Sequence, residues 1–137
     1  WAAGQDFNHG TGHGVGQFLS VHEGPQRLSR QSTIAFEAGM ILSNEPGFYQ
    51  ENQFGIRTEN LLVVQPAALP EEGNIKTLFA FETLTFVQID LPMVMAEMLS
   101  EHEKIWLNPY HQTCRDKINH RLSAHSRVWL DQATRPI

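Results

Sequence analysis

The sequence predicts an α+β fold, with strands over the first two thirds of the chain and helices over the last third. Three observations carry that expectation. The stretch Asn8–Pro25 places four glycines between Gly10 and Gly16, a density that disfavours helix by about 1 kcal/mol per glycine relative to alanine. Phe54–Gln65 and Leu78–Ile89 are rich in Phe, Thr, Val and Leu and read as strands. Past Leu91-Pro92 the pattern turns helical, and Ser100-Glu101-His102-Glu103 forms a capping box ahead of Ile105-Trp106-Leu107.

In chain order, the glycine-rich stretch is expected to be extended, so that His9, Thr11 and His13 share one face. His22 follows the short apolar run Phe18-Leu19-Ser20-Val21 and can return to the same cleft. Imidazoles so grouped form a metal-binding or substrate-binding wall, although a single histidine is ordinarily a surface or core residue. A helical His-Glu-x-x-His metal motif is excluded because Gly10 follows His9. Glu23-Gly24-Pro25 is a turn, and the polar Gln26–Ile34 reads as a loop. Met40–Glu45 is a short strand ended by Pro46-Gly47. A carboxylate at the end of an apolar strand needs a partner, since burying it alone costs several kcal/mol.

Phe54–Gln65 is expected to be one strand buried within a sheet, with Arg57, Glu59, Leu61 and Val63 on one face. Arg57 and Glu59 then admit two readings, a structural salt bridge or a metal-binding carboxylate oriented by a guanidinium. Pro66–Asn74 is a loop, and Glu82, within Leu78–Ile89, is a weaker candidate carboxylate. In the tail, Trp106, Tyr110, Cys114 and Ile118 make an apolar stripe at helical spacing. Pro109, which costs about 3 kcal/mol or more inside a helix, should kink it or restart it. Ser126–Ala133 reads as a last short helix. Cys114 is expected in the core, and His102, His111, His120 and His125 in solvent.

The bulk composition narrows the function. A chain of 137 residues is one domain or a piece of one. The net charge of −5 offers no basic patch for nucleic acid or an anionic membrane, so neither is an expected partner. One cysteine excludes an internal disulfide and suits a reducing, cytoplasmic compartment. No signal peptide or membrane span is seen. The start, Trp1-Ala2-Ala3 without Met, is read as an internal cut.

One imidazole and two carboxylates converging from separate strands would bind a divalent ion. Carboxylate-rich shells suit Mn²⁺ or Mg²⁺, and an added His suits Mn²⁺, Zn²⁺, Co²⁺ or Fe²⁺. Two ions sharing a carboxylate would activate a bridging water.

Four ordered motifs, His-Gly-Thr-Gly-His-Gly-Val-Gly (residues 9–16), Val-His-Glu-Gly-Pro (21–25), Asn-Glu-Pro-Gly-Phe-Tyr (44–49) and Gly-Ile-Arg-Thr-Glu-Asn (55–60), resemble those of the metallopeptidases with the pita-bread fold. The resemblance is to the Xaa-Pro aminopeptidases (aminopeptidase P) in particular, and it runs from about Gly4 to the end. The tail from Trp106 to Asp116 is similar to the helical extension of the long, cytosolic-type members. The resemblance implies a mainly antiparallel curved sheet with C-terminal helices. Residues 1–91 would be the C-terminal half of the catalytic domain, truncated at its start, and 92–137 the extension.

It further implies two metal ions, usually Mn²⁺ with Zn²⁺ or Co²⁺ as alternatives, held by two Asp, one His and two Glu. His13, Glu45 and the bridging Glu59 match the last three, and Glu82 is not a ligand. His9 and His22 match substrate-contacting histidines, Glu45 would also accept a proton from water, and Arg57 would orient Glu59. Substrates would be peptides with proline second, and the parent a homodimer. Lacking the two Asp, this stretch alone should hold one ion or none and be inactive. Competing readings are a non-enzymatic peptide- or protein-binding module of the same fold, a methionine aminopeptidase or prolidase, and self-association through an exposed sheet edge. Creatinase-like hydrolysis needs no metal, so intact ligand positions argue against it.

Overall fold

The computed structural model describes residues 4–18, 20–67 and 78–137. Two compact units divide the chain, Trp1–Thr85 and Phe86–Ile137. The architecture is α+β, and every pairing between the described strands is antiparallel.

The first unit holds seven described strands: β1 (Gly12–His13), β2 (Arg27–Leu28), β3 (Ile41–Asn44), β4 (Gly47–Gln50), β5 (Phe54–Arg57), β6 (Asn60–Pro66) and β7 (Phe79–Thr83). They pair as a three-stranded sheet in the order β3-β6-β7 and two ribbons, β1-β2 and β4-β5. Leu42 of β3 and Val64 of β6 are fully buried. A bridge between Gly14 and Leu42 ties the glycine-rich segment to β3.

Several expected boundaries change. Phe54–Gln65 is two strands rather than one, because the chain changes partner at Thr58-Glu59. β5 pairs with β4, whereas β6 lies between β3 and β7. The four residues of β5 are all exposed, which overturns the expected burial of Arg57 and Glu59 inside a sheet. The strand before Pro46-Gly47 ends as expected, at Asn44, and a new strand, β4, begins at Gly47. Asn52, at φ 58°, turns β4 back onto β5, a conformation that Asn tolerates better than most residues. β1 spans two residues instead of the whole histidine stretch, and β2 lies inside the segment expected to be a loop. Backbone pairing of Gly12 with Leu28 and His13 with Arg27 needs no apolar alternation, so periodicity did not mark it.

The strand expected over Leu78–Ile89 is confined to Phe79–Thr83. Beyond it, one backbone bond continues, Leu84 N–H to the Leu61 carbonyl at 2.8 Å, and side chains add to it. Leu61 N–H donates to Thr85 Oγ1 at 2.8 Å and Asn60 Nδ2 to the Thr85 carbonyl at 2.8 Å. Within the Pro66–Asn74 loop, residues 68–74 lie outside the described residues, as do Trp1–Ala3 and Leu19.

The second unit contains α1 (Glu101–Ile118) and α2 (Ala124–Ala133), preceded by short 3-10 turns at Leu91–Met93 and Ala96–Met98. Ser100 caps α1 as the motif predicts. Its Oγ accepts from Glu103 N–H at 3.3 Å, and Glu103 Oε2 accepts from Ser100 N–H at 2.7 Å. Ser100 Oγ also donates to Glu103 Oε2 at 2.7 Å, and this bond, followed by that from Ser100 N–H, holds the Glu103 carboxyl below its ordinary range.

The helix continues through Pro109 without restarting. The carbonyl that loses its intrahelical donor belongs to Ile105, on an exposed turn, and Thr113 Oγ1 donates to the Pro109 carbonyl at 2.9 Å. The buried stripe is Leu107, Tyr110 and Cys114, packed with Leu91. Trp106 is exposed and Ile118 half-buried. Burial pushes the Cys114 thiol up, so it is held as an inert thiol. Among the described residues, no helix is long and apolar enough to cross a membrane.

His111, expected in solvent, is fully buried. Its Nε2 accepts from Ile89 N–H at 3.1 Å, so the ring hydrogen sits on Nδ1, which has no bonding partner among the described residues. Burial, followed by the Arg115 charge, lowers the His111 pKa below the usual 6.5. A second proton would face the Ile89 N–H. The unfolded chain therefore protonates first as pH falls, so this contribution to stability is present above pH 6.5 and is lost below it. His111→Gln retains an acceptor for Ile89 and does not titrate. Urea unfolding at pH 7.5 and pH 5 should show a smaller pH-dependent loss for the variant than for the wild type. Parallel losses would refute the assignment.

Candidate metal centre

Three segments of the first unit deliver the candidate donors. His13 closes β1, Glu45 directly follows β3, and Glu59 stands at the break between β5 and β6. One ligand-capable atom of each lies within 4.8 Å of the others, with His13 half-buried, Glu45 buried and Glu59 exposed.

Each donor is oriented by its surroundings. His13 Nδ1 is 2.9 Å from the Gly14 carbonyl. A carbonyl can only accept, so Nδ1 carries a hydrogen, and in the neutral ring Nε2 presents its lone pair. Nε2 lies 3.3 Å from Glu45 Oε1. An imidazole lone pair and a carboxylate oxygen facing each other at that distance suit a cation placed between donors.

Glu45 is bonded at both oxygens. Ser43 Oγ donates to Oε1 at 3.0 Å, and Arg57 Nη1 donates to Oε2 at 3.0 Å. Its backbone N–H donates to the Thr11 carbonyl at 2.7 Å. Arg57 thus pairs with Glu45 across two strands, in place of the pairing with Glu59 that the sequence suggested.

Arg57 leads onward to a histidine. Its Nε donates to Tyr49 Oη at 3.0 Å. That bond, followed by the Glu45 and Glu59 charges, raises the guanidinium pKa. Tyr49 Oη is also 2.6 Å from His9 Nε2. His9 Nδ1 is 2.8 Å from the Gly10 carbonyl, so in the neutral ring Nε2 accepts from Tyr49.

His9 lies in a bend before β1 and lines one cleft with His13. His22 stands against His13, ring centroids 4.2 Å apart. Glu82 on β7 is outside the cluster and accepts from Gln65 Nε2 at 3.1 Å. Sequence reasoning missed Ser43 and Tyr49. Ser43 shares a strand face with Glu45 two residues on, and Tyr49 lies in the Glu-Pro-Gly-Phe-Tyr motif.

The chemistry of this donor set fits a divalent metal ion. One neutral imidazole and two carboxylates, with partners fixing the imidazole and the buried carboxylate, match the borderline-to-hard preference of such ions.

Comparison with known proteins agrees. A model of metallopeptidase family M24 matches residues 1–66, and a model of the C-terminal region of peptidase M24 matches residues 77–137. A probable Xaa-Pro aminopeptidase P of Coprinopsis cinerea is 44% identical over the whole chain, which covers 23% of that protein. Aminopeptidase P2 of Arabidopsis thaliana is 45% identical, again over the whole chain and 20% of the relative. The crystal structure of X-prolyl aminopeptidase from Caenorhabditis elegans, described as a cytosolic enzyme with a di-nuclear active site, superposes with a TM-score of 0.85. It is 36% identical and covers all of this chain and 22% of that one. The chain thus spans about a fifth of the length of the relatives it matches.

The glycines that let these segments meet are testable. A Cβ on Gly12 would overlap the Ser43 carbonyl oxygen and approach its carbon at 2.9 Å, and backbone atoms cannot rotate aside. Gly12→Ala should destabilise the chain by about 1–3 kcal/mol in urea unfolding and shift the His13 ring resonances. Unchanged stability and resonances would show that the close approach is not required.

Proposed function

The chain belongs to metallopeptidase family M24, and we propose that it contributes His13, Glu45 and Glu59 to the metal centre of an aminopeptidase that releases the N-terminal residue from peptides with proline second. The observation that carries this reading is the approach of the three donors to within 4.8 Å from three separate segments. A non-enzymatic module of the same fold would have no use for that convergence. The pita-bread fold supplies the scaffold, with residues 1–91 as half of the catalytic domain and 92–137 as its helical extension. A carboxylate-rich shell with one imidazole favours Mn²⁺, two ions in the whole protein. The same reading extends to a homodimeric, cytoplasmic parent, in keeping with a single buried, reduced cysteine.

A divalent ion held by His13, Glu45 and Glu59 would supply Lewis acidity and make a bound water easier to deprotonate. The chain's own groups supply the rest. Glu45 accepts the proton of the attacking water while Arg57 and Ser43 hold its carboxylate in place. His9, fixed by Tyr49 and the Gly10 carbonyl, and His22, packed on His13, contact the substrate and help hold its residue–proline bond. Arg57 keeps its positive charge beside Glu45 and steadies it.

Calorimetric titration with Mn²⁺ tests the ligand set. The chain should bind the ion, and His13→Ala, Glu45→Gln and Glu59→Gln should each weaken binding at least about ten-fold. Equal affinity in all three variants would remove these residues from the site. With three of five ligands present, the chain alone should not cleave Arg-Pro-Pro in Mn²⁺. The longer protein that carries this stretch should cleave it and spare Arg-Ala-Pro. Robust turnover by the chain alone, or indifference to proline in the longer protein, would overturn the proposal.

A further inference from the structure

Ser43 is fully buried, and its hydroxyl touches the residues of two candidate ligands at once. Oγ accepts from His13 N–H at 2.9 Å and donates to Glu45 Oε1 at 3.0 Å. Around it, the glycine-rich segment and β3 are joined by backbone bonds, Glu45 N–H to the Thr11 carbonyl at 2.7 Å and Val15 N–H to the Ile41 carbonyl at 3.1 Å. Between those two bonds, His13 N–H turns to a side chain. Gly12, with no Cβ, lets the Ser43 backbone come close enough for that exchange.

The polarity of the hydroxyl is fixed by its neighbours. A backbone N–H can only donate and an ionised carboxylate can only accept, so the single Ser43 hydrogen points at Glu45. Arg57 holds the other Glu45 oxygen. The carboxylate is thereby clamped at both ends, and the backbone of His13 is registered against it by the same atom.

We propose that Ser43 is a positioning residue that presets the relative placement of His13 and Glu45 for metal binding, a role that rests on reading those two residues as ligands. Without the hydroxyl, Oε1 loses its fixed donor and His13 N–H its acceptor. The carboxylate must then be ordered when the ion arrives, at a cost in affinity. Partners that orient a ligand from behind typically account for about ten- to hundred-fold in metal affinity.

The test titrates Mn²⁺ into the chain by calorimetry and follows thermal unfolding of the metal-free protein. Ser43→Ala should bind Mn²⁺ at least about ten-fold more weakly, and Ser43→Thr, which restores the hydroxyl, should stay within about threefold of wild type. If Ser43→Ala fails to fold, Ser43→Cys replaces it, because a hard ion such as Mn²⁺ has little affinity for a thiol. A cysteine variant that binds like wild type overturns the proposal. So does an alanine variant that melts earlier yet keeps wild-type affinity, which would leave Ser43 with a purely structural part. Threonine binding as weakly as alanine also overturns it. A wild-type chain that binds no Mn²⁺ overturns the ligand reading itself, a result distinct from affinity that ignores the hydroxyl.

Discussion

The first unit is built around one buried carboxylate. Glu45 lies at 8% exposure, where an unpaired charge costs several kcal/mol. That cost is offset by Ser43 on one oxygen and Arg57 on the other. Satisfying Glu45 joins the end of β3 to the end of β5 and, through Ser43, to β1. Arg57 extends the network to Tyr49 and Tyr49 to His9, so the order of the cleft wall follows from the same set of bonds. The exposed Glu59 completes the donor cluster where the chain changes strand partner.

Close backbone approach makes this network possible. Gly12 lies against the Ser43 carbonyl and Gly14 against that of Glu23; side chains at either position would hold the segments apart. Gly14 also bridges to Leu42, next to Ser43, which brings the His13 backbone within reach of the Ser43 hydroxyl. The glycines thus act at a distance of one residue from the chemistry, through geometry alone.

The second unit follows a different logic. Its stability comes from a helix capped by Ser100 and an apolar cluster of Leu91, Leu107, Tyr110 and Cys114. His111 is buried beside that cluster and accepts from the Ile89 backbone, which makes a titratable ring part of the core. Pro109 falls on the exposed face of α1, as does Ile105, whose carbonyl lacks its intrahelical donor.

Local patterns determined much of this protein from the sequence alone. The α+β class, the capping box, the tail helix and each short motif taken singly, the glycine-flanked imidazoles, Glu-Pro-Gly and Arg-Thr-Glu, are encoded within a few residues, and the forces behind them act over that range. Tertiary structure decided the rest. The split of Phe54–Gln65 into β5 and β6 depends on which strand lies alongside. The pairing of Arg57 with Glu45 joins residues twelve apart, and the bond from His13 to Ser43 spans thirty. The burial of His111 depends on a backbone N–H twenty-two residues earlier in the chain. Hydrogen bonds and ion pairs are set by distance in space, and only packing of the whole unit brings such partners within three ångströms or so.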